Sequence, residues 1–243
     1  MCTLALGLGL DRRWPVVIAA NRDERLGRAS EGWALRAGAG GLRHAAPADR
    51  LAGGTWIGVS AGGLVAAVTN YHAPFDWYPD PARRSRGELV PLALAAGSVD
   101  AAAEALRPLE AARWNPFHLV VAGPDGALLW WHDGEAAGLE RLDPGLHVIT
   151  ESDRTGRGPR AERVRARWPA EPAVERLREV LVQHDGRDGT CIHGDPVYGT
   201  RSSTVLRLAR DLAASDLFVA DGRPCQSPLE DRSPLLEALA RSA

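Results

Sequence analysis

The chain begins with two apolar runs. The first follows directly after Cys2, the second spans residues 16–20, and a turn cluster separates them. Both runs are short and rich in Val, Leu, Ile and Ala, a pattern that predicts an antiparallel β-hairpin. Pairing about this turn places Cys2 opposite about positions 20 to 22. We therefore expect a thiol, a guanidinium and a carboxylate, from Cys2, Arg22 and Asp23, to meet at one end of the hairpin.

A second hairpin is predicted over residues 53–71, where Ala61-Gly62-Gly63 supplies the turn. The same register arithmetic places Asn70 opposite Gly53 or Gly54, at the open end of the hairpin. The preceding stretch, 26–52, has little periodicity and is predicted to be loop with one short strand near Trp33.

The period of the apolar residues changes along the rest of the chain. Helices are predicted from a cap near Ser85, from Ser98 to Pro108, over 160–167 and 174–184, and over 228–240. Strands are predicted over 117–122, 128–132, 146–150 and 199–208. We see no internal repeat and no composition boundary, so one α+β domain over residues 1–243 is the expected organisation.

Composition and charge exclude several functions. The formal net charge is -2, which gives no electrostatic reason to expect nucleic acid or an anionic membrane as a partner. All 29 basic residues are arginine, so the chain has no lysine for a Schiff base or a P-loop. No apolar stretch is long enough to span a membrane and no leader pattern opens the chain, which predicts a soluble, cytoplasmic protein.

The first hairpin permits a particular chemistry at Cys2. Removal of Met1 leaves a free α-amine on Cys2, and this amine is partly neutral near pH 7 and can accept the proton of the thiol. Arg22 favours the thiolate, and Asp23 can hold the amine by a hydrogen bond. The Asn70 side-chain amide can stabilise an oxyanion.

Plainer interpretations compete with this one. A cysteine at position two is commonly a buried strand residue, charged residues at a strand end are commonly solvated, and an asparagine before a loop commonly forms a turn. Cys191 and Cys225 are interpreted as small apolar residues, and three cysteines so widely spaced favour neither disulfides nor a zinc knuckle. Four histidines show no metal-ligand spacing and are interpreted as ordinary surface or core residues: His72, His118, His132 and His193.

Six motifs, taken in order, resemble the signature of the NRDE family, also called the transport and Golgi organisation protein 2 family. They are Met1-Cys2-Thr3, Ala20-Asn21-Arg22-Asp23-Glu24, Gly53-Gly54-Thr55-Trp56-Ile57-Gly58, Val68-Thr69-Asn70-Tyr71, Arg86-Gly87-Glu88-Leu89-Val90 and Tyr198-Gly199-Thr200-Arg201-Ser202-Ser203-Thr204.

This resemblance implies an N-terminal nucleophile (Ntn) hydrolase-like αββα sandwich of two antiparallel sheets between helical layers. It implies that Cys2 is the nucleophile, that Arg22 and Asp23 surround it, that Asn70 stabilises the oxyanion and that Arg201 reaches the same pocket. The implied activity is hydrolysis of a non-peptide acyl amide bond in a small molecule through a thioester at Cys2, without a cofactor.

The chain departs from the family pattern at two positions. Relatives commonly have Ser-Asn where this chain has Thr150-Glu151, and Phe-Asn-Leu where it has Phe117-His118-Leu119. Either change can alter the choice of substrate or the turnover.

Two other functions stay open at this point. The resemblance also implies a non-catalytic carrier of haem or of an acyl-CoA or lipid ligand, and the Trp77-Tyr78 loop suggests a protein-interaction role. The sequence sets neither the substrate nor the oligomeric state.

Overall fold

The computed structural model describes residues 2–38, 41–72 and 79–242. The Trp77-Tyr78 loop, for which an interaction role was considered, lies outside the described residues, as does Met1.

Short strands make up most of the described secondary structure. They are Thr3–Leu8 (β1), Val16–Arg25 (β2), Ser30–Ala37 (β3), Arg43–Asp49 (β4), Ile57–Ser60 (β5), Val65–Asn70 (β6), Phe117–Gly123 (β7), Gly126–His132 (β8), Ala137–Leu142 (β9), Gly145–Thr150 (β10), Tyr198–Leu208 (β11), Asp216–Asp221 (β12) and Glu230–Asp231 (β13). The α-helices are Leu89–Leu94 (α1), Val99–Leu106 (α2), Pro159–Arg167 (α3), Val174–Leu181 (α4) and Ser233–Ala240 (α5).

The strands form two antiparallel sheets. The first has the order β10-β1-β2-β11-β12-β13 and the second the order β3-β4-β5-β6-β7-β8-β9. Apolar side chains from both sheets form a shared core between them, while α1 and α2 cover the outer face of the second sheet and α3 and α4 that of the first. This architecture confirms the predicted α+β fold, an αββα sandwich.

Alternation along the first two strands determines which side chains face the space between the sheets. Leu4 and Leu6 belong to the core between the sheets, whereas Ala5 packs under the helices. Because successive strand residues point to opposite faces, Cys2 lies on the same side as Leu4. By the same alternation, Arg22 follows Ile18 onto the inner face of β2.

The expected hairpins are confirmed. Thr3 pairs with Asn21, so Cys2 is next to Arg22, as the register arithmetic predicts. In the second hairpin Ile57 pairs with Ala67, a register that corresponds to Asn70 opposite Gly54, although β5 itself begins at Ile57.

The expected helices differ from the structure mainly at their ends. The Ser85 cap is confirmed, since its hydroxyl accepts a hydrogen bond from the main-chain N–H of Gly87. The 174–184 helix ends earlier, at Leu181, and the last helix begins at Ser233 rather than 228.

The interpretation of 26–52 as loop with one short strand is wrong. The segment holds β3 and β4, which pair with each other and continue into β5. Its many glycine, alanine and arginine residues hide the strand period, because alanine gives little contrast between a buried and an exposed face. Strands β9, β12 and β13 were also missed, and β13 lies within the segment 228–240 that was predicted to be helix. Within the described residues, no helix is both long enough and apolar enough to cross a bilayer.

Candidate active site

Cys2 lies immediately before β1, a strand that pairs with β2 on one side and with β10 on the other. When the register of each pairing is continued by one residue, Arg22 of β2 and Glu151, just after β10, lie opposite Cys2 on its two sides. The Cys2 Sγ atom lies 3.8 Å from the main-chain oxygen of Asp23. Cys2 therefore has a basic residue opposite it on one side of the sheet and an acidic residue on the other.

The environment of Cys2 opposes ionisation of the thiol. Burial raises the pKa of the Cys2 thiol, and the carboxylates of Asp23 and Glu151 act in the same direction. The resting thiol is therefore protonated near neutral pH, and nucleophilic attack requires a nearby proton acceptor.

Arg22 is held by one aromatic ring and two carboxylates. Its guanidinium carbon lies 4.0 Å from the ring centroid of Trp56, and its Nη2 atom lies 3.8 Å from carboxylate oxygens of both Glu24 and Asp49. Burial lowers the pKa of Arg22, although a guanidinium stays charged in proteins. Its Nη1 atom is buried without a hydrogen-bond partner among the described residues. The cation therefore keeps a donor for a thiolate or a substrate oxygen.

Asp23 is buried and hydrogen-bonded on one side only. Its Oδ1 atom accepts a 2.6 Å hydrogen bond from the Thr200 hydroxyl, and its main-chain oxygen accepts one of 3.0 Å from the Tyr198 hydroxyl. Within the described part of the chain, its buried Oδ2 atom has no partner. Burial raises the pKa of Asp23 to about 6, and the hydrogen bond from Thr200 offsets only part of that rise. An unused acceptor of this kind suits an amine or ammonium donor.

Asn70 reaches the site from the opposite sheet. It is the last residue of β6, is half-buried, and lines the same cavity as Cys2. Its side-chain amide makes no hydrogen bond to any described residue, so the N–H groups are available to a ligand oxygen.

One cavity of about 1300 Å³ brings these residues together. Cys2, Arg22, Asp23 and Asn70 all line it. Apolar side chains complete part of its wall, among them Leu4, Ala20, Ile57, Ala67 and Val68.

Arg201 is placed differently from the other four predicted residues. It is not among the described residues that line the cavity, and its Nη1 atom donates a 2.5 Å hydrogen bond to the carboxylate of Asp221. A β-bulge between Thr200 and Ser202 interrupts the pairing of β11 with β2 at this residue.

Arg86 is a cavity residue to which sequence reasoning assigned no role. Its Nη1 atom donates a 2.9 Å hydrogen bond to the main-chain oxygen of Pro116, and burial lowers the pKa of Arg86 to about 10. The signal was present, because Arg86-Gly87-Glu88 is one of the six family motifs.

Two glycines set the position of the loop that carries Arg86. Gly54 has φ +76, and a Cβ atom there would lie 2.4 Å from the carbonyl carbon and oxygen of Gly87. The Thr55 N–H donates a 3.0 Å hydrogen bond to that same oxygen. The two loops therefore touch backbone to backbone, at a distance only glycine permits.

The residues that depart from the family pattern are both buried. Glu151 forms an ion pair of 3.1 Å with Arg160, which compensates its charge next to Cys2. Burial lowers the pKa of His118 to about 4, so the ring is neutral at pH 7. Its Nδ1 atom lies 3.1 Å from the Thr150 oxygen, which links the two sheets. Neither residue is among the described cavity-lining residues.

Arg160→Met is expected to destabilise the fold by about 3–5 kcal/mol, because it leaves the Glu151 carboxylate buried without its partner. Urea unfolding at pH 7 measures this loss. Glu151→Leu combined with Arg160→Met should recover most of it. The matched control is Arg201→Met, which breaks an exposed pair with Asp221 and should cost less than about 1 kcal/mol. Equal losses for the two single variants would contradict the assignment.

Comparisons with known proteins agree with this architecture. The family model described as Transport and Golgi organisation 2 matches residues 1–184. A search of curated proteins found no match.

Three solved structures are similar to this chain. An N-acylethanolamine-hydrolyzing acid amidase ortholog from Caenorhabditis elegans has a TM-score of 0.58 at 13% identity, covering 85% of this chain and 92% of that chain. Penicillin V acylase from Agrobacterium tumefaciens has a TM-score of 0.55 at 15% identity, covering 90% and 83%. The C2A mutant of conjugated bile acid hydrolase from Clostridium perfringens has a TM-score of 0.56 at 11% identity, covering 98% and 94%. At these identities the likeness establishes the shared Ntn-hydrolase fold.

Proposed function

Because this chain belongs to the Transport and Golgi organisation 2 family and has the fold of Ntn-hydrolase acylases, we propose that it is an N-terminal-cysteine amidohydrolase acting on a small acylated amine. One observation carries the proposal: Cys2, Arg22, Asp23 and Asn70 line one cavity, and Cys2 lies just before the first residue of β1. The names of the three similar structures describe an amidase, an acylase and a hydrolase, which supports the same reaction type.

The proposed reaction begins once Met1 has been removed. The α-amine of Cys2 takes the proton of its own thiol, and the thiolate attacks the acyl carbonyl carbon. Asn70 donates to the oxyanion that forms, while Arg22 stabilises the negative charge of sulfur and oxygen. The tetrahedral intermediate collapses, the C–N bond breaks, and the ammonium returns its proton to the leaving nitrogen. The product at this stage is a thioester on Cys2.

Water completes the cycle by attacking the thioester. The α-amine takes a proton from the water, the C–S bond breaks, and the carboxylic acid leaves while the thiol is restored. Asp23 orients the amine throughout, because its buried Oδ2 atom has no partner among the described residues and its main-chain oxygen lies 3.8 Å from the Cys2 Sγ atom.

The cavity also limits the substrate class. Its volume of about 1300 Å³ exceeds the roughly 300–1000 Å³ of ordinary ligand sites. The apolar wall formed by Leu4, Ile57 and Val68 suits the acyl part, and the polar groups near Cys2 suit the amide. We therefore propose substrates with a large apolar acyl group.

Intact-mass spectrometry tests the proposal directly. The purified protein should lack the mass of Met1, and short incubation with N-acyl aminocoumarins of increasing acyl length should add one acyl mass at Cys2. Peptide mapping assigns the adduct. Active protein that retains Met1 would exclude the α-amine as the base.

Asn70→Ala is expected to lower kcat by about 10²–10³-fold with little change in KM, because an oxyanion donor acts mainly in the transition state. Asn115→Ala is the matched control, since that side chain also lines the cavity but is hydrogen-bonded to the main chain of Asp80. It should change KM more than kcat. An unchanged kcat for the Asn70 variant would remove this residue from the mechanism.

A carrier function for haem or an acyl-CoA-like ligand is the competing use of the same cavity, favoured by its large volume. Haem titration followed by the Soret band distinguishes the two functions. A saturable shift that Cys2→Ala or His72→Ala abolishes, with no acyl adduct from any substrate, would favour the carrier.

A further inference from the structure

Four side chains with thiol or imidazole groups converge outside the cavity. His184 follows α4, Cys191 and His193 lie on the segment that leads into β11, and Cys225 follows β12. One ligand atom from each lies within 4.8 Å of all the others. This placement was not expected, because the sequence spacing of these residues matches no common metal-binding pattern.

The separations of these atoms agree with the edges of a coordination tetrahedron. The two Sγ atoms lie 3.7 Å apart, and His193 Nε2 lies 3.3 Å from Cys191 Sγ and 3.1 Å from Cys225 Sγ. A tetrahedral zinc ion with Zn–S near 2.3 Å and Zn–N near 2.0–2.1 Å gives edges of about 3.3–3.8 Å. The distances among Cys191, Cys225 and His193 therefore need only tenths of an ångström of adjustment, and the His184 nitrogen lies within 4.8 Å of all three atoms.

The two imidazoles lie close together in an arrangement compatible with binding one ion. The rings of His184 and His193 lie 4.5 Å apart between centroids and are inclined by 79°. Nearly perpendicular planes let both rings direct a nitrogen to one point without stacking.

We propose that His184, Cys191, His193 and Cys225 bind one zinc ion in a closed, structural site. Two thiolates and two imidazoles form a soft donor set with tetrahedral geometry, which is typical of zinc. Four protein ligands leave no open position for substrate, so the ion has a structural role. Three of the four ligands lie beyond the segment 1–184 that the family model matches.

The segments that carry the ligands are already held together by hydrogen bonds to main-chain oxygens. The Cys191 N–H donates a 3.0 Å hydrogen bond to the Gln183 oxygen, next to His184. Arg178 of α4 donates a 2.6 Å hydrogen bond to the Pro224 oxygen, next to Cys225. Zinc binding therefore requires little ordering of the chain.

A short chain of hydrogen bonds joins this cluster to the candidate active site. The Ile192 N–H, between two of the ligands, donates a 2.8 Å hydrogen bond to the Thr200 hydroxyl. That hydroxyl in turn donates 2.6 Å to Oδ1 of Asp23. The ion would thus fix the segment that positions Asp23, although metal binding itself does not depend on the proposed hydrolase activity.

Metal analysis of the purified full chain tests the proposal. Reduced protein, incubated with zinc and then gel-filtered, should retain about one zinc ion per chain. Cys225→Ser and His184→Ala should each lower zinc retention at least tenfold. Cys2→Ser and His147→Gln are the matched controls, because they remove a thiol and an imidazole outside the cluster, and both should retain the ion. Circular dichroism shows whether each variant is folded.

Cobalt provides a second measurement on the unmodified protein. Co²⁺ should give the intense visible d–d bands of a tetrahedral ion together with thiolate charge-transfer bands, and one equivalent of zinc should abolish them. Chelation of the zinc should lower the Tm by about 5–10 °C, because a ligand of the native state stabilises it by mass action.

Three results would overturn the proposal. They are zinc retention below about a tenth of an equivalent by fully reduced wild-type protein, retention that the cluster variants do not change, and a Cys191–Cys225 disulfide whose reduction restores no metal uptake.

Discussion

Cys2→Ala is expected to reduce amide hydrolysis by about 10⁴-fold or more, because the thioester cannot form without the thiol. The substrate for this measurement is the N-acyl aminocoumarin that gives the strongest adduct on the wild-type protein. Cys2→Ser tests the same point more finely, since a hydroxyl at this position is a weaker nucleophile than a thiol. The fold should remain intact, because Cys2 lies before β1 and its Sγ makes a single hydrogen bond among the described residues, of 3.8 Å to the main-chain oxygen of Asp23.

A variant that retains one residue before Cys2 distinguishes the role of the thiol from that of the α-amine. It keeps the nucleophile but turns the amine into a peptide N–H, so general base catalysis is lost at a cost of about 10²–10⁴-fold. Full activity of this extended form would mean that another group takes the proton. Full activity of Cys2→Ala would exclude the mechanism.

Asp23→Asn is expected to stabilise the fold at pH 8 by roughly 3 kcal/mol while it lowers activity. Burial raises the pKa of Asp23 from its ordinary 3.8 to about 6, and each pH unit of that difference corresponds to about 1.4 kcal/mol. The native protein therefore keeps the proton over a pH range in which the unfolded chain has lost it. Asparagine removes the cost of burying the charge and still accepts the hydrogen bond from Thr200.

The pH dependence of stability distinguishes this explanation from a change in packing. Below about pH 4 the carboxyl is protonated in both states and contributes no slope. Between about pH 4 and pH 6 the free energy of unfolding of the wild type should fall relative to that of the Asn variant as the pH rises, and the difference should then level off. Urea unfolding of both proteins from pH 4 to pH 8 measures this difference, in which the opposite contribution of His118, whose pKa burial lowers to about 4, cancels. Identical slopes for both proteins would contradict the assignment.

The activity of the wild type should change in the opposite direction over the same range. Ionised Asp23 is needed to hold the ammonium of Cys2 that forms during the reaction, so kcat/KM should rise with pH through an apparent pKa of about 6. It should rise again at higher pH as the α-amine itself becomes neutral. Asp221→Asn is the matched control, because that carboxylate is exposed and pairs with Arg201. It should keep the wild-type profile.

The sequence predicted the parts of the site that local rules determine. A short turn and strict alternation fix the register of a hairpin, and for this reason Cys2 could be placed next to Arg22 from the sequence alone. Register also placed Asn70 at the open end of the second hairpin, and the family motifs supported its role, but its approach from the second sheet depends on how the two sheets pack.

Other features depend on long-range geometry that no local pattern encodes. Which face of β11 borders the cavity depends on how the two sheets pack: Ser202 and Thr204 line the cavity, and Arg201, which alternates with them along the strand, does not. Because β11 and β12 pair antiparallel, the start of β11 lies beside the end of β12, and this brings Cys191 and Cys225 together. Their separation along the chain reflects the length of those strands, which explains why counting residues between ligands failed.

The cavity wall is built in two ways, and the difference matters for engineering acyl preference. At Gly87 it consists of main chain packed against the main chain of Gly54 behind it, where an added side chain collides. At Leu51 and Val197 it consists of exposed side chains that can be exchanged freely. A mutant library aimed at new acyl groups should therefore randomise Leu51 and Val197. It should leave Gly54 and Gly87 unchanged, because their contact sets the position of the loop that carries Arg86.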